Sequence, residues 1–392
     1  MALPAESSSA TTLPPVPSDV TVKPVRTSAD KTAFIRMVYP IYQGDPNWVP
    51  PLEMERNDFL DRKKNPFFEF GEVELFLALR GGQVVGRIAA VRDPHYNEFH
   101  GTNEGFFGLF ECINDAGVAR ALFDAASQWL RAQGFVKILG PMNFSTNHEV
   151  GLLVDGFDRT PAIMTTYNPP YYGALIEANG FTKAKDLWSF ELSSSVQPPE
   201  KVARIAEKIR QREGVTVRSV DLKNFEAEVR LIKTIYNAAW EKNWGFVPMT
   251  DREFDHLARD MKQIVRSELL LIAEVKGEPV AFSMTIPDAN EALKEAKGRL
   301  TTFGLPIGLV KMLLAARKIR RLRLITLGIK EGYRRRGLDA ILYLDTLRTA
   351  HQLGYEGGEI SWTLEDNHLV NRAIESMGGK RSKTHRVYER AL

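Results

Sequence analysis

Three consecutive arginines followed by a glycine form the segment of this chain with the clearest capacity for chemistry. This segment, Arg334–Gly337, stands between an apolar run, Ile325–Ile329, and an amphipathic stretch that begins at Leu338. A strand that leads through a tight basic turn into a helix directs unpaired main-chain N–H groups and the positive end of the helix dipole at one point. The spacing therefore predicts an anion site of a size that suits a pyrophosphate.

The elements that must position this turn follow a regular order along the second half of the chain. Leu269–Val275 and Val280–Ile286 are predicted strands that form a hairpin. Downstream, Gly358–Leu364 is a predicted strand, followed by a short helix at Asn371–Met377 and a last strand near Thr384–Tyr388. This order of strands and helices, with the basic turn at its centre, resembles the layout of one acyl-CoA transferase fold.

With these motifs in place, the second half, from about Val215 onward, resembles a GNAT-superfamily N-acyltransferase domain. The pyrophosphate loop of that family usually reads Arg/Gln-x-x-Gly-x-Gly/Ala, and this chain matches it at Arg334 and Gly337, whereas Asp339 replaces the usual small residue. The resemblance implies acyl-CoA or acetyl-CoA as co-substrate. It implies that the co-substrate contacts residues of the preceding strand, the loop and the late helix, namely Leu327, Gly328, Ile329, Arg334, Arg335, Arg336, Gly337, Leu338, Asp339, Ala340 and Asn371. A solvated arginine-rich turn in another α/β domain is the alternative for the loop taken alone.

The first half repeats the same order of elements without the loop. Val73–Leu79 and Val84–Val91 predict a hairpin, Phe106–Ile113 a third strand, and Gly117–Gln133 an amphipathic helix. Asn114–Gly117 stands where the phosphate loop would lie, and it contains neither arginine nor glutamine. We therefore expect this half to lack a CoA site.

These observations predict an α/β protein of two tandem GNAT-like domains, each a mixed, mostly antiparallel sheet flanked by helices. At 392 residues the chain is long enough for two such cores. The predicted divisions are a disordered tail at 1–20, a first domain at 21–195 and a second domain at 196–392, with the Ser- and Pro-rich segment 193–200 as linker.

Acyl transfer to an amine needs a base for the ammonium, donors for the oxyanion and a proton for the leaving thiolate. Glu365 is the first candidate for the base and His368 the second, while Tyr388 is the candidate acid because Ser376 and Met377 stand where the family usually has its tyrosine. His148 lies in the polar segment 141–149, which could face the acceptor across the domain interface. A solvated surface position is the alternative for Glu365, and a structural histidine is the alternative for His148.

An apolar insertion separates the second strand of this half from the strand before the loop. Residues 303–316 are mostly apolar, too few to cross a bilayer, which takes about 20 residues, and basic residues follow up to Arg323. An apolar helix with a basic end is typical of membrane interfaces, so we expect peripheral membrane contact through 303–323. A helix packed in the core is the alternative.

A narrower resemblance concerns long two-unit GNAT-like proteins, which share runs such as those at Gly151–Phe157 and Tyr167–Tyr172. Some bacterial ceramide synthases, which acylate a sphingoid amine from acyl-CoA, belong to such a group. The predicted function is acyl-CoA-dependent transfer of an acyl group to a small-molecule or lipid amine, with a long-chain lipidic amine as the finer expectation. A non-catalytic GNAT-like protein that binds acyl-CoA or lipid is the alternative.

Composition excludes several other classes. A net charge of +3 gives no support for nucleic-acid binding. The single cysteine, Cys112, lies in an apolar run and is expected in the core, and no metal site is predicted. The start of the chain lacks the pattern of a signal peptide, so we expect a cytoplasmic protein, with membrane association as an open addition. We expect a monomer because tandem units often make an oligomer unnecessary.

Overall fold

The computed structural model describes residues 13–241 and 243–392. The strands are β1 Val20–Pro24, β2 Glu72–Arg80, β3 Gln83–Arg92, β4 Glu104–Cys112, β5 Lys137–Gly140, β6 Leu152–Asp155, β7 Thr182–Ser193, β8 Val215–Ser219, β9 Leu270–Val275, β10 Glu278–Pro287, β11 Arg321–Ile329, β12 Gly357–Leu364 and β13 Lys380–Ala391. The α-helices are α1 Ser28–Arg36, α2 Val38–Ile41, α3 Glu53–Phe59, α4 Pro94–His100, α5 Ala116–Ala132, α6 Tyr172–Ala178, α7 Glu200–Glu213, α8 Phe225–Trp240, α9 Asp251–Met261, α10 Asn290–Ala296, α11 Ile307–Ala316, α12 Leu338–Gln352 and α13 His368–Ser376.

The strands of the described residues form one sheet. Its order is β1-β2-β3-β4-β5-β13-β7-β12-β11-β10-β9-β8, and β6 pairs with β13 beside this path. The pairs β4–β5 and β11–β12 are parallel, and the other pairs are antiparallel. The predicted fold class, α/β with a mixed, mostly antiparallel sheet flanked by helices, is confirmed.

The last strand of each half lies in the sheet of the other half. β7 from the first half pairs with β12 along its length, from Ser193 opposite Gly357 to Leu187 opposite Leu364. β13 from the second half pairs with β5, and β7 and β13 also pair with each other. The sequence pattern predicted two separate sheets, and this exchange of strands joins them into one continuous sheet. The predicted boundary at residue 195 falls between β7 and α7.

Helices cover the sheet on both halves because each presents an apolar face to it. In the first half, α5 buries Val118, Leu122, Phe123 and Leu130 against the strands, in a cluster that also contains the predicted core residue Cys112. In the second half, α7 and α12 pack on a cluster that includes residues of β9 to β12. A further cluster contains residues of both halves, so the interface between them is part of the core.

The insertion between β10 and β11 does not pack as a core helix. Leu313 and Leu314 of α11 are 54% and 56% exposed, so the alternative of a core-packed helix is wrong. Across residues 13–241 and 243–392, no helix has both the length and the apolarity needed to cross a bilayer.

The predicted N-terminal tail is described only in part. Residues 1–12 of that tail lie outside the described residues. Pro15 and Pro17 lie directly against Gly117 at the start of α5, and Val20 begins β1.

Candidate active site

The two parallel strands of the second half separate where the acyl-transfer site was predicted. β11 pairs with β12 only from Arg321 opposite Gly357 to Leu324 opposite Ile360. Beyond that point β11 continues to Ile329 and β12 to Leu364, each still paired to its other neighbour. Ile325–Leu327 are only half-buried although they lie in the middle of a wide sheet. An opening therefore exists between the strands, with the edge of β11 along one side.

The basic turn lies at the end of this opening and keeps its main-chain donors available. Gly337 precedes α12 with φ +80°, a left-handed conformation that favours glycine, and no side chain caps the helix. None of the described residues accepts a hydrogen bond from the backbone N–H groups of Arg335 to Ala340. The first hydrogen bond of the helix runs from Ile341 N–H to Gly337 O. Because these donors sit at the positive end of α12, the turn has the geometry of an anion site.

The three arginines of the turn have different surroundings. Arg334 donates to Ala239 O of α8 at 2.6 Å, which holds the turn against that helix. Arg336 stacks over Tyr333 at 4.9 Å and lies 3.6 Å from Glu213. Arg335 has φ +61° and an exposed side chain, which is therefore open to a ligand. Asp339 is half-buried and does not act as a cap for the helix.

In the first half, protein groups occupy the opening at the corresponding position. β4 and β5 also separate after Phe106 opposite Leu139. The edge of β4 that faces the gap is bonded, however, since Leu109 N donates to Asn143 Oδ1 and Cys112 N donates to Tyr172 OH, both at 2.9 Å. The opening is thus closed by the chain itself.

The helix start of the first half is also filled. The Asp115 carboxylate accepts hydrogen bonds from Gly117 N at 2.8 Å and Val118 N at 3.1 Å, and pairs with Arg80 at 2.8 Å. The chain near Pro15 and Pro17 covers the same helix end. A carboxylate of the chain therefore satisfies the main-chain donors at the start of α5, whereas the corresponding donors at the start of α12 are free.

The candidate bases lie just past β12. Glu365 pairs with Lys183 of β7 at 2.6 Å and accepts from Asp186 N at 3.0 Å, so both of its oxygens are engaged. His368 is exposed in the first turn of α13. Both therefore lie at the end of β12 where β11 has separated from it, and Glu365 is bonded to β7, the neighbour of β12 on its other edge.

Two other predicted residues serve structural contacts. Tyr388 is buried in the core of the first half, where its hydroxyl donates to Glu177 at 3.0 Å and burial raises its pKa. The strand exchange therefore places Tyr388 in the half opposite to the basic turn. Asn371 is buried in α13, not at its start, and its amide donates to Leu364 O at 3.0 Å and accepts from Thr363. It ties the helix to β12.

The polar segment 141–149 contacts the second half, as the sequence led us to expect. Thr146 donates to Gly245 O, and Asn147 donates to Val247 O at 3.1 Å. His148 lies 3.0 Å from Ser145 Oγ, and burial, together with the charge of Arg56, lowers its pKa to about 4. The ring is therefore neutral at neutral pH.

One tryptophan lies against β11 where that strand borders the opening. Trp240 lies directly over Gly328 of β11, where a Cβ atom would come within 2.3 Å of its ring. Trp244 and Trp362 both pack against the cluster shared by the two halves, which contains Phe144. Trp240 therefore gives the β11 side of the opening an apolar surface, against which an alkyl chain could lie.

Sequence reasoning missed a buried charged cluster on β11, β12 and β13. Glu359 pairs with Lys383, and both side chains are almost fully buried. Arg323 donates to Ser361 Oγ at 2.7 Å, and His385 Nε2 lies 3.0 Å from Thr166 O. Burial opposes the charge on Glu359, yet Lys383 keeps the pKa of that carboxyl below its usual value. The signal was polar residues at alternate positions of strands in the sheet centre, 321 and 323, 359 and 361, 383 and 385.

Comparisons with known proteins fit this geometry. No protein-family model matches the chain. The bacterial ceramide synthase of Caulobacter vibrioides is 39% identical over 384 residues, which span 96% of this chain and 98% of that protein. Protein YghO of Escherichia coli is 35% identical over 372 residues, 93% of each chain.

Solved structures support the same assignment at the level of the fold. A tandem GNAT protein from the clavulanic acid biosynthesis pathway superposes with a TM-score of 0.56 at 12% identity, over 95% of this chain and 98% of that chain. A GCN5-related N-acetyltransferase from Sphaerobacter thermophilus gives 0.53 at 12% identity, over 96% of both chains. The predicted resemblance to tandem GNAT proteins related to bacterial ceramide synthases is confirmed. The chain belongs to the same family as the bacterial ceramide synthase of Caulobacter vibrioides and has the fold of tandem GNAT proteins.

Proposed function

We propose that this protein is an acyl-CoA-dependent N-acyltransferase whose acceptor is a long-chain lipidic amine. The observation that carries the proposal is the set of free main-chain donors from Arg335 to Ala340, at the positive end of α12 and beside the opening between β11 and β12. Such a site favours the pyrophosphate of CoA, whose negative charge meets N–H groups and the exposed side chain of Arg335.

The edge of β11 supplies a second set of contacts in this proposal. Leu327, Gly328 and Ile329 lie just before the basic turn, on the strand that has left β12. An acyl thioester laid along this edge would place its carbonyl oxygen near main-chain donors. The same donors would stabilise the oxyanion that forms when the amine attacks.

We place the single CoA site of the molecule in the second half. In the first half, Asp115 occupies the helix end, and Asn143 and Tyr172 bond the strand edge. A pyrophosphate there would have to displace a bonded carboxylate of the same charge. The first half instead supplies the segment 141–149, which would form a wall of the acceptor site.

The lipidic acceptor rests on two observations. Trp240 lies over Gly328, on the part of β11 that borders the opening, and its indole suits a long alkyl chain better than a polar acceptor. The relative that is 39% identical over almost the whole chain is named a ceramide synthase, and the sphingoid base acylated in that reaction is a long-chain amine.

The reaction needs no covalent enzyme intermediate. The neutral amine nitrogen attacks the thioester carbonyl carbon, the C–S bond breaks, the amine proton passes to a base, and the CoA thiolate takes a proton. Glu365 and His368 remain the candidates for the base because they adjoin the end of β12. Tyr388 and His148 stay predictions, and the burial of Tyr388 in the first half places it apart from the basic turn.

The test is release of CoA thiol from palmitoyl-CoA and acetyl-CoA with a panel of amines that includes sphinganine. We expect thiol release with palmitoyl-CoA and the long-chain amine, and an amide product of the matching mass. Arg335→Gln should raise the KM for palmitoyl-CoA several-fold, whereas Arg348→Gln, an exposed arginine farther along α12, should not. Binding of acyl-CoA without release of CoA thiol in the presence of any acceptor would instead support the non-catalytic alternative.

A further inference from the structure

The insertion between β10 and β11 presents a group of large apolar side chains to solvent. Phe303 is 99% exposed, and five further residues follow, Leu305 at 60%, Ile307 at 42%, Val310 at 50%, Leu313 at 54% and Leu314 at 56%. A run of neighbouring exposed apolar side chains marks an interaction surface, whereas single exposed ones do not. We call residues 303–318 the apolar ridge.

The tip of the apolar ridge holds an aromatic residue in an unfavourable conformation. Thr302 and Leu305 exchange main-chain hydrogen bonds at 2.9 and 3.0 Å across a two-residue turn. Phe303 has φ +51° and Gly304 has φ +77°. A bulky side chain rarely adopts positive φ, and this turn type usually takes Asn, Asp or Gly at that position. The backbone at Phe303 is therefore strained, and this conformation holds the phenyl ring at the tip of the apolar ridge.

Cations accompany the apolar side chains. Lys311, Arg317 and Lys318 are exposed, and none of them makes an ion pair within the part of the chain that the structure describes. The next arginine, Arg320, pairs with Glu356 at 2.9 Å. The ridge therefore combines an apolar surface with free positive charge.

The ridge is held in place by the first half. Glu53 N donates to Gly298 O at 2.9 Å, and Arg299 pairs with the Glu53 carboxylate at 2.8 Å. At the start of α11, Gly308 lies against Arg299 O so closely that a Cβ atom would come within 1.8 Å of it. Since these contacts fix α11 with its apolar side outward, its exposure is a property of the folded state.

We propose that the apolar ridge docks the protein on the surface of an anionic lipid bilayer. Phe303 and the apolar side of α11 would enter the boundary between headgroups and acyl chains, and the free cations would meet lipid phosphates. A bilayer fits better than a peptide because the apolar residues form a protruding turn and helix, not a groove. The inference rests on the proposed function in one respect: a long-chain amine would be drawn from such a membrane.

The experiment is co-sedimentation of the full-length protein with vesicles of phosphatidylcholine, with and without about 30% phosphatidylglycerol. We expect partition onto anionic vesicles that weakens at high salt. The double variant Phe303→Ser/Leu313→Ser should lower the partition coefficient at least about tenfold. Val136→Ser removes a side chain that is 61% exposed elsewhere, at the start of β5, and should change nothing.

The cations are tested separately. Arg317→Gln/Lys318→Gln should reduce binding to anionic vesicles by about fivefold for each charge removed and leave the weaker binding to neutral vesicles unchanged. Equal partition of native protein and Phe303→Ser/Leu313→Ser would overturn the proposal. The proposal would also be overturned if light scattering showed that the native protein is a dimer that does not bind vesicles and that the same double variant is a monomer. The apolar ridge would then be covered by a second copy of the chain.

Thiol release in detergent micelles separates this inference from the proposed function. The ridge variants should keep native turnover of palmitoyl-CoA and sphinganine in micelles, because the ridge lies outside the opening between β11 and β12. If the native protein turns over substrate but does not bind vesicles, only the proposal that the apolar ridge docks on a membrane is overturned. Vesicle binding without turnover by the native protein would overturn the proposed function alone.

Discussion

The free helix end at Gly337 leads to a quantitative prediction. Replacing Gly337 by Asp would place a carboxylate at the start of α12, as Asp115 does at the start of α5. The added Cβ would come within 2.4 Å of Ile209 Cδ1, whereas the other Ile209 atoms lie at 3.7 Å or more. All variants are therefore made together with Ile209→Val, which removes the clashing methyl group.

The matched control is Gly337→Asn, which has the same shape without the charge. Asn and Asp are comparable caps and both tolerate positive φ, so the two variants should be equally stable. The carboxylate would lie about 4 Å from a bound phosphate, and the repulsion between two unit charges at that distance is about 1 kcal/mol in water and about 4 kcal/mol at an effective dielectric constant of about 20. Since the lower value already corresponds to about a fivefold change, we expect Gly337→Asp to raise the Kd for CoA at least about fivefold above Gly337→Asn.

Isothermal titration with CoA at low salt measures this difference. The gap between the Asp and Asn variants should narrow in 0.5 M salt because the repulsion is partly exposed to solvent. Asp115→Asn in the first half should leave the Kd unchanged. If the Asp and Asn variants at position 337 bind CoA within threefold of each other, the phosphates do not lie at this helix end and the reasoning is refuted.

Three further predictions concern stability and the reaction. Burial lowers the pKa of His385 to about 4 from 6.5, so below about pH 6.5 the unfolded state binds more protons than the folded state, and the free energy of unfolding falls as the pH drops toward 4. Between pH 8 and pH 5, urea unfolding should show the native protein losing about 2 kcal/mol more of this free energy than His385→Gln loses. An equal loss in the two proteins would contradict this. If Glu365 is the base, Glu365→Gln should lower kcat about a hundredfold with little change in KM, while Lys183→Ala, which breaks the same ion pair but keeps the carboxylate, should retain most of the activity. A fragment 196–392 should be insoluble because it lacks β7 and leaves the facing edges of β12 and β13 unpaired, and a soluble, CoA-binding fragment would disprove that dependence.

The local elements were predictable because they depend on short-range patterns. Apolar periodicity gave the hairpin of β2 and β3, the long helix α5 and the strands around the basic turn, with bounds that differ by a few residues. The turn itself was found because Gly337 and its arginines lie between a strand and a helix. These signals are contained within about 20 residues of sequence.

The strand exchange was not predictable in this way. β7 and β13 are both closing strands of twelve residues, and either could pair with β5 or with β12 on pattern alone. The choice depends on contacts such as that between Glu359 and Lys383, which face each other across β7. Charged residues at those positions read as surface in the sequence because their partners are known only from the fold.

The site residues show the same limit. Glu365 was chosen for its place at the end of β12, but its partner Lys183 lies 182 residues earlier in the chain. Tyr388 was chosen as an acid within its own half, and the exchange carried it into the other. For α11 the sequence left two possibilities, because an apolar helix of ten residues has the same pattern whether it is buried or exposed, and only the basic residues after it favoured exposure.

The two halves share the same local arrangement of strands and helix but differ in what satisfies its main-chain donors. Both keep a strand that separates from its parallel neighbour and a helix that begins beside the gap. In the first half, Asp115 neutralises the helix end and Asn143 bonds the strand edge, which stabilises that half without a ligand. In the second half, the same positions lack internal partners, and a folded protein tolerates unpaired donors at a helix end where water or a ligand satisfies them. Since the first half also supplies β7 to the sheet of the second, it is retained as part of the structure that holds the open site.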